Sequence, residues 1–377
     1  MILYNTKRKY SIVLVDKNKK IQDNIQENKK DGRKENMKKT RKMIRNLIIF
    51  ILLIILTFYI ILKDQNITEI YSVLGNVKKQ YILIAALCMC VYITCEAINI
   101  GRTLKNLNEK STFWQNIKYA LIGFFFSSIT PAASGGQPMQ IYYMYKDKIS
   151  VANSTLALLI NLSSMQIVTI SIALISVIFN HKYLNGTLIG FFVLGIILNA
   201  SALTLLLIGI LSKKLSKKLI DFAIKVMKKI KIKNIEDKQI KLESEMSKYQ
   251  DSSDYIKNNK KVILKTLLTT YIQFIAFYSV SYWVYCSFGL SGYNFIEIVT
   301  IQSVLYATVS GIPSPGAVGV TEGGFIEIYK SVFPQNIISG AMLLNRGISF
   351  YLLVIVSGIV TLITLFKSKK MLKKEEI

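Results

Sequence analysis

Apolar positions along this chain fall in long blocks, without the short rhythm of a soluble domain. Blocks at residues 47–62, 81–100, 151–179, 187–211, 262–288 and 337–366 each predict an apolar helix. A bilayer core of about 30 Å asks for roughly 20 apolar residues per helix, and most of these blocks reach that length. The pattern predicts an all-α polytopic membrane protein with about six spanning helices.

Two more apolar stretches, residues 117–145 and 295–333, are broken in the middle. Pro131 and Pro138 fall in the first, Pro313 and Pro315 in the second, and Pro334 ends the second. Glycines cluster beside them, at Gly135 and Gly136 and at Gly311, Gly316 and Gly319. A continuous helix through either stretch would lose about 3 kcal/mol per interior proline. In hydrocarbon the freed backbone groups find no water. Each stretch is therefore predicted as two half-helices meeting at a turn that is buried in protein or lines a wet cavity.

Charge orients these elements. The formal net charge is +26, and the lysines and arginines concentrate in residues 1–46, 212–261 and 367–377. The positive-inside rule puts all three on the cytoplasmic side. If both broken stretches are re-entrant, the loop carrying Arg102 and the turn from Lys146 to Lys148 fall on that side too. If the first stretch instead spans once, the basic segment 212–261 is thrown outside. Parity thus favours re-entrant hairpins, although a hairpin of two short spans gives the same parity.

The expected organisation follows. A basic arm (1–46) leads into a membrane half (47–211) that holds the first hairpin (117–145). A basic loop (212–261) follows, with residues 215–230 as a surface amphipathic helix. The second membrane half (262–366) holds the second hairpin (295–333), and a basic tail (367–377) ends the chain. Met37 opens a basic run directly before the first helix and is an alternative start, which would make the polar segment before it an artefact. Residues 81–179 and 262–366 both read helix, hairpin, helix, in opposite orientations. Inverted units with paired broken segments are a transporter signature, and the broken segments point to the site.

Composition narrows the chemistry. The chain is 51% hydrophobic with a mean hydropathy of +0.38, as a membrane protein requires. Cys88, Cys90, Cys95 and Cys286 lie in apolar blocks without metal or disulfide spacing and read as small hydrophobes. His181 is the only histidine and sits in a short loop, so neither a metal cluster nor a Ser–His pair is available. No cofactor or metal is implied. The lysines also attract anionic lipid, at about 1 kcal/mol each near the surface. No folded or aromatic-interleaved basic module accompanies them to suggest nucleic acid.

The candidate site lies at the breaks. Each returning half-helix starts near mid-membrane, where unpaired N–H groups carry about half a positive charge. Ser134, Gly135, Gly136 and Gln137 lead into Pro138, a suitable first helical residue. Gly316 and Gly319 lead through Thr321, as N-cap, to Glu322. Two such starts converging would suit a phosphate; the bland alternative is a structural kink. An acid at mid-membrane costs about 2.5–3.5 kcal/mol and needs a partner or a task. Arg346 lies at matching depth, about 14 Å into the last helix at 1.5 Å per residue. Glu322 and Arg346 are read either as a structural pair or as headgroup- or proton-handling groups, with Glu327 as an alternative acid. Asn153, Asn161, Ser164 and Gln166 put polar atoms on one long helix, to line a headgroup path or to bond between helices. Glu96 and Arg102 read as interfacial, and Tyr142, Tyr143 and Tyr145 as an aromatic belt.

These motifs carry a resemblance. Residues 127–145, residues 315–324 with Pro315, Gly316, Gly319 and Glu322, and Arg346 are together similar to the lysylphosphatidylglycerol synthase transmembrane-region family of flippase-like proteins. The resemblance covers roughly residues 47–366. Many relatives end the first motif in Gly-Glu, where this chain has Gly136-Gln137, which weakens a paired-acid mechanism. Family members resemble the lipid-translocating half of the multiple peptide resistance factor. In that larger protein a separate soluble domain transfers lysine from lysyl-tRNA to phosphatidylglycerol. The longest polar stretch here, about fifty residues, is too small for such a domain.

The resemblance implies a cell-membrane lipid translocase with both termini cytoplasmic. Its partner would be a phospholipid, such as lysylphosphatidylglycerol or another anionic or aminoacylated lipid. Two alternatives stay open. One is a phosphatidylglycerol lysyltransferase using lysyl-tRNA. The other is a non-transporting partner of a separate lipid synthase or envelope enzyme.

Overall fold

The structure is a computed structural model that describes residues 74–180, 186–211, 235–312 and 314–375, with 45, 48, 51, 52, 55 and 59. The chain divides into two units, residues 1–52 and 53–377. In the first, Arg45, Ile48, Ile51 and Leu52 are helical and exposed. The predicted helix 47–62 lies mostly outside the described residues, as do His181 and the amphipathic segment 215–230.

The second unit is built from helices, with no strand among the described residues. In chain order they are α1 (Lys79–Asn106), α2 (Phe113–Ser128), α3 (Gly136–Lys146), α4 (Val151–Asn180), α5 (Gly186–Leu211), α6 (Ile235–Asn258), α7 (Lys260–Ser287), α8 (Phe295–Val309), α9 (Val320–Tyr329), α10 (Ile338–Arg346) and α11 (Leu352–Glu375). Both predicted breaks are present, between α2 and α3 and between α8 and α9. Helix α6 lies in the basic loop, whose sequence carries no long apolar run and gave no helix over residues 235–258. It is held by a few buried anchors. Tyr249 packs with Leu156, Ile160 and Val262, and Ser253 Oγ donates to the Ile210 carbonyl (2.6 Å). Burial pushes the Tyr249 phenol up to about 12.

Five helices among the described residues are long and apolar enough to cross a membrane: Lys79–Asn106, Val151–Ile178, Ile189–Ile208, Lys260–Ser287 and Ile338–Phe366. Their outer faces stay apolar. Leu264, Leu268, Ile272 and Ile275 on α7, and Ile355, Ile359, Leu362 and Ile363 on α11, are exposed at helical spacing. Contiguous apolar surface of this extent calls for lipid.

The inner faces are polar in places. Helices α1 and α7 pack along their whole length. Lys78 N donates to Ser287 O (2.8 Å), Tyr81 stacks on Trp283, and Ser279 Oγ meets Cys88 Sγ at 3.3 Å. Asn99 Nδ2 donates to Thr270 Oγ1 (3.0 Å), and Arg102 Nη2 to Thr269 Oγ1 (2.9 Å). Partner numbers fall as α1 advances, so the two helices are antiparallel. Cys88, Cys90, Cys95 and Cys286 are free thiols.

Candidate functional site

Both broken segments are built alike. Each first half-helix opens with a capping box. Thr112 Oγ1 accepts from Gln115 N while Gln115 Oε1 accepts from Thr112 N. Asn294 and Glu297 repeat this exchange at the start of α8. Each break then runs through an extended residue (Thr130, Ser314), a proline, and two residues with positive φ. The pairs are Ala132 (φ 51°) with Ala133 (φ 53°), and Gly316 (φ 60°) with Ala317 (φ 49°). Left-handed alanines are strained by about 1–3 kcal/mol each, which persists only where surrounding contacts enforce it. The two breaks pack against one another.

Tight packing holds the first break. Thr130 Oγ1 donates to Phe126 O (2.6 Å) and accepts from Gly135 N (2.9 Å). A Cβ on Gly136 would lie 2.0 Å from Ser127 Oγ and 2.8 Å from the Gly123 carbonyl, so α3 approaches α2 as only glycine allows. Ser134 is exposed, as are Pro131, Ala132 and Ala133 before it. Gln137 is half-buried on the first turn of α3. That helix opens at Gly136, so Pro138 is its third residue and not its first; the unpaired N–H groups of a first turn make either position acceptable.

The second break is more enclosed, with Pro315 and Val318 buried. Here Thr321 is not the N-cap. Gly319, with φ 89°, turns the chain into α9 two residues earlier, and Thr321 Oγ1 donates to Ala317 O (2.9 Å). Glu322 caps the helix from its third position, accepting from Gly319 N at Oε2 (2.7 Å). Its Oε1 accepts from Arg346 Nε (2.8 Å) and from the Tyr351 hydroxyl (2.8 Å). Glu322 is 0% exposed and Arg346 6%.

Arg346 also donates from Nη2 to the Gly316 carbonyl (3.2 Å). Its guanidinium lies 4.2 Å over the Phe350 ring. Phe350 meets Phe124 of α2 and would strike any Cβ on Gly316, at 2.3 Å. The break, α2 and the last helices are thus tied through one ion pair and its aromatic floor.

The pair is reached through a feature the sequence did not reveal. Residues Gly347–Tyr351 form a π turn between α10 and α11. This wider turn brings Tyr351, five residues after Arg346, onto the same carboxylate oxygen. Tyr351 and Phe350 were therefore missed, and Thr130 was missed because its bonds to Phe126 and Gly135 depend on the turn of the first break. Glu327, by contrast, is exposed and pairs with Lys330.

Other expected residues separate. Asn153 Nδ2 donates to Glu109 Oε1 (2.7 Å) and Asn153 Oδ1 accepts from Ser252 (2.7 Å). Ser164 donates to its own helix at Ile160 O (2.9 Å). Asn161 Oδ1 and Gln166 Oε1 are buried without a hydrogen bond. Glu96 is not at a helix end. It is half-buried, with its side chain near Gln140 on α3. Tyr142 and Tyr145 are exposed, but Tyr143 is 2% exposed and belongs to the interior.

The family model described as "Lysylphosphatidylglycerol synthase TM region" matches residues 44–357. A protein of Archaeoglobus fulgidus described as "UPF0104 membrane protein" is 22% identical over 317 residues, which are 82% of this chain and 94% of that protein.

Proposed function

The chain belongs to the lysylphosphatidylglycerol synthase TM-region family, and from that premise we propose that it is a membrane lipid translocase. A phospholipid headgroup would pass beside the meeting breaks while its acyl tails stay in lipid. The substrate would be an anionic or aminoacylated lipid such as lysylphosphatidylglycerol. The observation that carries this reading is the pair of breaks with matching left-handed residues that pack against one another. The antiparallel course of α1 and α7 supports inverted units, since each is the first helix of its unit. Strained turns and a π turn at one locus fit segments that switch between two arrangements. In this reading both hairpins are re-entrant, and the termini and the basic loop face the cytoplasm of a cell-membrane protein.

In cells supplied with a separate lysyl-lipid synthase, expressing this chain should raise the share of lysyl lipid reached by an impermeant amine reagent. Total lysyl lipid should stay constant. A rise in total lysyl lipid without any synthase would favour lysyl transfer from lysyl-tRNA. An unchanged exposed share, with the synthase co-purifying, would favour a non-transporting partner of that enzyme.

A further inference from the structure

Three rings from three helices meet away from the ion pair: Tyr92 of α1, Phe277 of α7 and Tyr306 of α8. The Tyr92 and Phe277 centroids are 5.4 Å apart with planes at 41°. Those of Phe277 and Tyr306 are 5.3 Å apart with planes at 75°. Phe274 and Tyr278, both fully buried, back the group, with centroids 5.7 and 5.8 Å from that of Tyr306. Phe277 and Tyr306 are only half-buried, so the cluster is not sealed.

Glu96 gives this aromatic group its charge. It follows Tyr92 by one helical turn and lies within electrostatic reach of both Tyr92 and Tyr306. It is half-buried, ten residues before Asn106 at the end of α1, or about 15 Å at 1.5 Å per residue. Among the described residues no cation pairs with it. Gln140, beside it, is neutral and gives its Nε2 to the Tyr119 carbonyl (3.1 Å). The next cation along α1, Arg102, is bonded to oxygens of Asn99, Thr266 and Thr269. A carboxylate at this depth needs a partner or a task.

An organic ammonium fits such a place. Its charge is attracted to aromatic faces within about 6 Å of a ring centroid, and its N–H groups donate to carboxylate and phenol oxygens. A bare metal ion asks for several oxygen ligands, and one carboxylate among rings supplies too few. We propose that Glu96, Tyr92, Phe277 and Tyr306 bind the ammonium group of a phospholipid headgroup. The lipid-translocase reading enters only in naming a lipid as the source of the ammonium. Gln140 belongs to α3, the returning half-helix of the first break, so a headgroup passing that break would present its amine here.

Dihexanoyl phosphatidylethanolamine, dihexanoyl phosphatidylglycerol and free ethanolamine are titrated by calorimetry into the purified full chain, at salt high enough to screen surface lysines. Phosphatidylethanolamine should bind most tightly. Glu96→Gln should weaken it at least about tenfold and leave phosphatidylglycerol unchanged. Tyr306→Leu should weaken it about threefold, whereas Tyr306→Phe, which keeps the ring, should retain most of the binding. Glu327→Gln, at an exposed acid on α9, should change nothing. Thermal midpoints are read alongside, and Glu96→Gln should not lower the midpoint, because no cation is stranded. Should it fall, the Tyr306 variants decide, and unchanged binding by Tyr306→Leu overturns the site. Phosphatidylethanolamine binding unaffected by Glu96→Gln also overturns the site, and free ethanolamine binding as tightly as the lipid overturns the lipid source. Vesicle transport measured on the same preparation separates the two readings. Selective binding without transport contradicts the translocase alone, and transport without selective binding contradicts the ammonium site alone.

Discussion

Arg346 Nε donates to Glu322 Oε1 at 2.8 Å, with both residues buried. The carboxylate accepts three hydrogen bonds, from Arg346, Tyr351 and Gly319. Removing its charge leaves the arginine buried and unpaired. Glu322→Gln should therefore cost about 3–5 kcal/mol and lower the yield of folded protein in detergent. Glu322→Gln combined with Arg346→Met should recover much of the loss, because no charge is then stranded. Normal folded yield from Glu322→Gln, with transport lost, would instead assign the acid to headgroup or proton handling.

Tyr351→Phe removes one donor and no charge. It should cost about 1.5–3 kcal/mol, the range for hydrogen bonds to charged groups, and keep the ion pair. A thermal-unfolding midpoint as low as that of Glu322→Gln would show that the Tyr351 hydroxyl, as much as Arg346, holds this corner.

Two glycines one break apart should respond with opposite sign. Gly136→Ala places a methyl 2.0 Å from Ser127 Oγ and 2.8 Å from a carbonyl, and should destabilise by about 1–3 kcal/mol. Gly323→Ala, on α9 beside Glu322, meets nothing within 4 Å and should stabilise by about 0.5–1 kcal/mol. Thermal midpoints of the two variants test this directly.

The antiparallel seam can be tested by cross-linking. Ser279 Oγ lies 3.3 Å from Cys88 Sγ. With the other three cysteines replaced, Ser279→Cys should oxidise to a bond between α1 and α7. After cleavage in the basic loop, the fragments should stay together until reduced. Topology has its own test. Single cysteines at Asn185 and Ser291 should react with an impermeant reagent on intact cells, and those at Ser216 and Lys369 should not. Labelling of Ser216→Cys would refute the re-entrant first hairpin.

The sequence reading located the long apolar helices of the described residues and both breaks because long apolar blocks and clustered prolines are local signals. It paired Glu322 with Arg346 because an acid and a base at matching depth in hydrocarbon have few other options. Other features depend on three-dimensional neighbours. The π turn that delivers Tyr351 leaves no mark in apolar periodicity, and the cap at Gly319 rests on a positive φ. Helix α6 is polar over most of its length and is anchored by single residues such as Tyr249. Glu96 sits in the first half of no motif, and only the fold brings it to Gln140.

The central claim is lipid movement between leaflets. The purified full chain is reconstituted in vesicles carrying headgroup-labelled phosphatidylglycerol or lysylphosphatidylglycerol. The fraction of label reached by an impermeant quencher is then followed over time. The account predicts that quenching passes beyond the outer-leaflet half in protein-containing vesicles, for at least one of these lipids, and stays at half in empty ones. Quenching that stops at half for every lipid tested, with correctly folded protein present, would contradict it.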